Sequence, residues 1–196
     1  MLKRIFDIVA SFIGLLLLLP FLLVISMLIV IDSRGGIFYR QVRVGKNNID
    51  FKLFKFRTMA TGSDKKGLLT VGGRDSRITK IGYYLRKYKL DELPQLLNVL
   101  VGDMSLVGPR PEVRKYVDMY NAEQLKVLNA KPGITDYASI EYSNENELLA
   151  KSSDPEKTYI EEVMPAKLLL NQKYISEQGL GTDIKIIFRT IGKIIS

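Results

Sequence analysis

The chain has 196 residues, 29 Lys+Arg against 21 Asp+Glu, and neither cysteine nor histidine. That length suits one domain with a sizeable core. Without Cys or His there are no disulfides, no thiolate or imidazole metal ligands and no Ser-His or Cys-His nucleophile, so any chemistry must use carboxylates, Lys, Arg, hydroxyls or a hard cation. The net charge of +8 is concentrated in residues 33–110, which hold 16 Lys+Arg against 6 Asp+Glu. A patch of that sign attracts nucleic acid, anionic headgroups or phosphorylated small molecules. No zinc-ligand or RRM-type signature accompanies it, so lipid or phosphate is favoured and nucleic acid is not expected.

The first element is apolar. Asp7 and Asp32 bracket 24 uncharged residues, which as one straight helix would reach about 36 Å against a hydrocarbon core of about 30 Å. A cleaved signal peptide fits poorly, because Asp-Ser-Arg-Gly-Gly follows Ile31 in place of a small-residue cleavage site. Hydropathy alone would favour a single span, but two details oppose one. Pro20 lies near the midpoint, where it removes an N–H and kinks a helix, leaving two halves of about 18 Å each. Basic residues also flank both ends, Lys3 and Arg4 before and Arg34, Arg40, Arg43 and Lys46 after, so both ends ask for the cytoplasmic side. The segment 1–32 is therefore expected to be a re-entrant helix–break–helix, with Ser11 or Ser26 as distant partners for backbone freed at Pro20. Residues 33–196 are expected to form one cytoplasmic domain.

Within that domain, Ile37–Val44 and Asp50–Arg57 are rich in β-branched and aromatic residues around a Gly45-Lys46-Asn47-Asn48 turn, predicting a β-hairpin. Residues 61–75 are glycine-rich and charged and predict an exposed loop. Ile78, Ile81, Leu85 and Tyr88 predict a basic amphipathic helix, suited either to a membrane surface or to the core with a solvated basic face. Leu93, Leu96, Leu97 and Leu100 predict another helix, with Asp91 as its N-cap and Pro94 in its first turn. Ile184, Ile187, Phe188, Ile191 and Ile195 form a C-terminal apolar stripe beside Lys185, Arg189 and Lys193, again suited to an interface. The fold class is thus α+β: a membrane helix followed by a mainly helical domain with a small hairpin.

Four motifs carry candidate chemistry. Asp91-Glu92 could simply cap a helix and complement its dipole. Alternatively, an Asp at a helix N-terminus among basic residues would have a depressed pKa and remain ionised to attack phosphorus, with Glu92 helping to hold Mg2+. In Gly108-Pro109-Arg110-Pro111-Glu112 two prolines constrain Arg110, which offers its fork either to phosphate or to a structural carboxylate. Lys55 and Arg57 lie two apart on one strand face, and Lys131-Pro132-Gly133-Ile134-Thr135 adds a turn with another cation.

In their order, Lys55-Phe-Arg-Thr-Met59, Leu90-Asp-Glu-Leu-Pro-Gln-Leu-Leu-Asn98, Gly102-Asp-Met-Ser-Leu-Val-Gly-Pro-Arg-Pro111 and Lys131-Pro-Gly-Ile-Thr135 closely resemble the bacterial sugar transferase family. More narrowly, the chain resembles its small monotopic phosphoglycosyl transferases over about residues 1–190. The resemblance implies Mg2+-dependent, ping-pong transfer of sugar-1-phosphate from a UDP-sugar to polyprenyl phosphate, usually undecaprenyl phosphate, releasing UMP. This is the first membrane step of capsule, exopolysaccharide, O-antigen or glycoprotein assembly at the bacterial inner membrane. It further implies Asp91 as nucleophile, Glu92 binding the metal or managing protons, Arg110 gripping phosphate, and a re-entrant break at Pro20; Lys55, Arg57 and Lys131 are further candidates for substrate phosphate and Asp91 a further candidate for the metal. Membrane lipids are expected partners, and a homodimer is compatible with these features.

Two departures stand out. Many members have Ser before the proline of the membrane helix, where this chain has Leu19. Many also continue Pro-Gly-Ile-Thr into a glycine–arginine ending, where this chain has Asp136-Tyr-Ala-Ser-Ile-Glu-Tyr-Ser143, leaving Asp136, Ser139 and Glu141 as candidate substitutes. A membrane-anchored scaffold without catalytic activity would need the anchor and the charge but not the Asp91-Glu92-Arg110 set. A multi-helix CDP-alcohol type of enzyme is disfavoured by the single apolar segment.

Overall fold

The computed structural model describes residues 1–63, 69–72 and 75–195. Helix α1 (Leu2–Asp32) leads into an antiparallel hairpin of β1 (Phe38–Val44) and β2 (Asp50–Phe56), paired from Phe38↔Phe56 to Val44↔Asp50. Asn47 and Asn48 take positive φ in its turn, as Asn tolerates. The hairpin thus forms where sequence placed it. Residues 64–68, 73 and 74 of the predicted 61–75 loop lie outside the described residues. Between these two stretches Leu69 packs on the core, and the Gly72 amide donates to Asn146 O (3.0 Å).

Helix α2 (Lys80–Lys87) begins at Thr79, whose hydroxyl accepts from the Gly82 amide (3.0 Å). A 3-10 turn, Leu90–Glu92, precedes α3 (Gln95–Val101), which closes on Gly102 at φ +107. Strand β3 (Ser105–Val107) and α4 (Arg114–Val117) follow. Strand β4 (Gly133–Thr135) then runs parallel to β3, with Ser105↔Gly133 and Val107↔Thr135. Four short or medium helices come next: α5 (Tyr137–Glu141), α6 (Glu145–Ala150), α7 (Pro155–Thr158) and, after a π-turn at Tyr159–Val163, α8 (Met164–Glu177). Helix α9 (Leu180–Ile195) ends the chain's regular structure. The β3–β4 pairing was not legible in the sequence, because two three-residue strands are too short to show a period. Glycine makes it possible: a Cβ on Gly108 would meet Lys131 O at 2.4 Å, and one on Gly133 would meet the Gly108 amide nitrogen at 2.0 Å. That contact brings the Gly-Pro-Arg-Pro and Lys-Pro-Gly-Ile-Thr motifs side by side.

Helix α1 is long and apolar enough to cross a membrane by length and composition. The break expected at Pro20 is absent, since helix continues on both sides of it. Proline removes one N–H and strains one turn, and the ladder can resume beyond it. The serines do not compensate there: Ser11 donates to Asp7 O (2.6 Å) and Ser26 to Leu22 O (2.7 Å).

Both ends of α1 are bound to the same body. Near its start, Arg4 donates to Val99 O (2.5 Å) and Leu100 O (3.0 Å), covering the C-terminal carbonyls of α3. The buried Asp7 carboxylate accepts from Ser105 Oγ and the Leu106 amide (both 3.1 Å). Lys3 pairs with the buried Asp183 of α9 and also donates to Val107 O (3.0 Å). Near its end, Ile25 and Ile29 bury against Phe56 and Leu85, and Asp32 accepts from the Ile81 amide (2.9 Å). A helix of 31 residues spans about 46 Å, so a straight crossing would carry these two sets of contacts to opposite sides of a bilayer.

Candidate active site

The 3-10 turn at Leu90–Glu92 is set by its neighbours in sequence. Lys89 takes left-handed backbone (φ +55), turning the chain sharply out of α2, and Pro94 then starts α3 three residues after Asp91. Asp91 is therefore not the N-cap of the longer helix that sequence predicts. Its side chain is 6% exposed and accepts no hydrogen bond among the described residues. Burial raises its carboxyl above the usual range, Lys55 opposes that rise and Glu92 adds to it. The expected depression of its pKa is thus reversed: the helix that would have stabilised the anion begins elsewhere, and desolvation outweighs the surrounding cations.

Glu92 has the opposite environment. Lys55 Nζ donates to Oε1 (2.9 Å), Arg110 Nη1 donates to Oε2 (3.0 Å) and Arg110 Nη2 donates to Oε1. Burial would raise its carboxyl, but Arg110 and then Lys55 outweigh it and hold Glu92 well below the usual range. Lys55 is itself lowered by burial, with Glu92 opposing. Two adjacent carboxylates thus differ in kind, one neutralised by two cations and the other desolvated with its oxygens open.

Three supports hold this cluster. Lys55 lies on β2, and Asn98 of α3 fixes that strand by accepting from the Phe54 amide (2.9 Å) and donating to Lys52 O (2.9 Å). Sequence reasoning missed Asn98, although it ends the same motif; a buried amide pairing a strand edge leaves no periodic signal. Arg110 follows β3, where the Gly108 amide donates to Thr135 O (3.0 Å) and the Gly133 amide to Pro109 O (3.0 Å). The buried Asp136 N-caps α5 by accepting from the Ser139 amide, and it also accepts from the Arg110 amide (3.3 Å).

The other sequence candidates lie elsewhere. Arg57 is not with Lys55: β2 ends at Phe56, so strand alternation no longer governs its direction. Its guanidinium instead covers the C-terminus of α1, donating to Gly36 O (2.6 Å), Ser33 O (2.8 Å) and Ile29 O (3.4 Å). Lys131 is lowered by burial and by Arg4, near the start of α1. Of the substitutes for the missing glycine–arginine ending, Asp136 has the capping role above, Ser139 Oγ is buried without a hydrogen-bond partner among the described residues, and Glu141 is exposed. For a hard cation, Asp91 offers open oxygens, whereas both Glu92 oxygens already face cations. Mg2+ is commonly held by one or two carboxylates together with substrate phosphate, so Asp91 fits that role and Glu92 as placed does not.

A desolvated carboxylate with no hydrogen bonds, flanked by two cations on a neighbouring acid, is suited to nucleophilic attack on a phosphate beside a charge-neutralising fork. The bacterial sugar transferase family model matches residues 1–196, and the chain belongs to that family. An Aeromonas hydrophila UDP-N-acetylgalactosamine-undecaprenyl-phosphate N-acetylgalactosaminephosphotransferase is 36% identical over 197 residues, covering 99% of this chain and 44% of that protein. A Caulobacter vibrioides UDP-glucose:undecaprenyl-phosphate glucose-1-phosphate transferase is 34% identical, covering 99% of this chain and 70% of its own length. A putative undecaprenyl-phosphate N-acetylgalactosaminyl 1-phosphate transferase of Bacillus subtilis is 44% identical over 121 residues, covering 62% of this chain and 68% of that one. The chain thus spans less than half of the Aeromonas enzyme.

Proposed function

We propose that the chain is a phosphoglycosyl transferase, moving sugar-1-phosphate from a UDP-sugar to undecaprenyl or a similar polyprenyl phosphate and releasing UMP. The observation that carries this reading is the buried, unbonded Asp91 carboxylate beside a Glu92 clamped by Lys55 and Arg110. An Asp91 oxygen attacks the β-phosphorus, the bond from that phosphorus to the bridging oxygen breaks, and UMP leaves with the electron pair. A lipid phosphate oxygen then attacks the same phosphorus, and the bond to Asp91 breaks to restore the carboxylate. Arg110 and Lys55 neutralise phosphate charge, and Glu92 holds the two cations in place. Mg2+ held by Asp91 and the donor diphosphate would supply further neutralisation.

Membrane attachment belongs to the same proposal. The core-facing side of α9 is Asp183, Ile186 and Thr190, while Ile184, Phe188 and Ile191 are exposed. Together with the exposed apolar sides of α1 and the attachment of both its ends to one body, this supports a monotopic domain held at one face of the membrane, with the basic flanks favouring the cytoplasmic side of the inner membrane. The test is UMP release from purified protein with Mg2+ across a panel of UDP-sugars, with and without undecaprenyl phosphate. Turnover that requires the lipid and one donor is expected. Absence of UMP with every donor from folded protein would favour the scaffold instead.

A further inference from the structure

Arg110 sits between two fixed points. Upstream, the β3–β4 ladder holds Gly108 and Pro109. Downstream, the chain is gripped by β1 and by the π-turn. Arg43 Nη1 donates to Pro111 O and to Glu112 Oε1 (both 3.0 Å), while Gln41 Oε1 accepts from Arg43 Nε (3.1 Å) and Nη2 (2.8 Å), aligning the guanidinium. The Val44 amide donates to Glu112 O (2.9 Å). Glu112 Oε1 also accepts from the Val113 amide (2.7 Å), and its Oε2 accepts from the Tyr159 hydroxyl. Tyr159 opens the π-turn at Tyr159–Val163, a local irregularity of the kind often found near functional sites. Prolines fix φ at 109 and 111 but leave ψ free. A small cavity of about 20 Å³, lined by Val44, Pro109, Arg110, Pro111, Tyr120 and Asn171, borders the loop.

We propose that Arg43 and Tyr159 are positioning residues: by fixing Pro111 and Glu112 they hold the Arg110 fork where it meets Glu92 and the donor diphosphate. This rests on the reading of Arg110 as a phosphate-binding residue. Because the Arg43–Glu112 pair is largely buried, removing one partner also costs stability, so positioning has to be read from ligand affinity in folded protein. The effect read there is on how Arg110 is presented.

A double-mutant cycle on UDP affinity separates positioning from general structure. UDP serves as the diphosphate probe, and binding is read by calorimetry on the full chain. Arg43→Gln should lower the melting midpoint and, in protein still folded at the assay temperature, weaken UDP about tenfold, and in an Arg110→Ala background the same change should cost less than about twofold in affinity. Arg43→Lys, which can still donate to Pro111 O, should recover part of the loss. Tyr159→Phe should give a smaller loss that also vanishes without Arg110, and it decides the matter if Arg43→Gln does not fold. Affinity indifferent to both changes, or an equal loss with and without Arg110, would overturn the proposal alone. Wild-type protein that fails to bind UDP would overturn the functional reading as well.

Discussion

The 90–92 turn and the Glu112 corner are both built from buried acid and paired cations, yet they differ in what is left unused. Glu112 accepts from Arg43, the Val113 amide and Tyr159, and although burial would raise its carboxyl, Arg43 and Lys167 outweigh it and hold it low. At the turn, Glu92 is similarly saturated, but Asp91 is desolvated with no donor directed at it. A saturated carboxylate contributes to shape, while one with open oxygens and a raised pKa is available for chemistry. The contrast singles out Asp91 as the candidate more sharply than charge density does, because basic residues of 33–110 serve both corners.

Asp91→Asn should break this contrast most severely. UMP release should fall by at least about 10³-fold, while the melting midpoint at neutral pH holds or rises. The sign follows from linkage: a carboxyl raised by folding costs stability as pH rises from its unfolded pKa through its folded one, in full above that, and the amide removes that cost. Glu92→Gln should lower kcat/KM about 10²-fold, because Lys55 and Arg110 lose their shared anion and shift. Asn98→Ala should cost about 2–3 kcal/mol of stability by orphaning the Phe54 amide and Lys52 carbonyl, measurable by denaturant unfolding. The acid limb of kcat/KM should lie above the ordinary aspartate range near about pH 3.9, since activity appears as Asp91 ionises. A limb at or below that value would contradict the burial account. Glu112→Gln should have the smallest effect, flattening the acid side of the melting profile, since a depressed carboxyl stabilises above its unfolded pKa and loses that contribution as pH falls through its folded one.

Local chemistry in the sequence was enough to place the hairpin and α2, while Asp91-Glu92 and Arg110 were brought into one site by the family resemblance. Turn residues, amphipathic spacing and two prolines each act over a few positions. What sequence missed depends on tertiary geometry. Arg57 turns to α1 because β2 stops one residue earlier, and no local signal marks that end. Asp91 loses its helix N-terminus because Lys89 adopts left-handed backbone. The β3–β4 ladder depends on two glycines 25 positions apart in direct contact. Pro20 read as a break, yet a proline costs only one donor, and contacts at both ends of α1 determine how the helix lies.

The most direct test of Asp91 as nucleophile is to mix protein with the accepted UDP-sugar in the absence of lipid, then quench and map the peptides by mass spectrometry. A burst of UMP approaching one per protein, with a phosphosugar mass added to the peptide containing Asp91, is the predicted result. UMP that appears only when polyprenyl phosphate is added, with Asp91 unmodified, would contradict it and imply direct transfer between the two substrates.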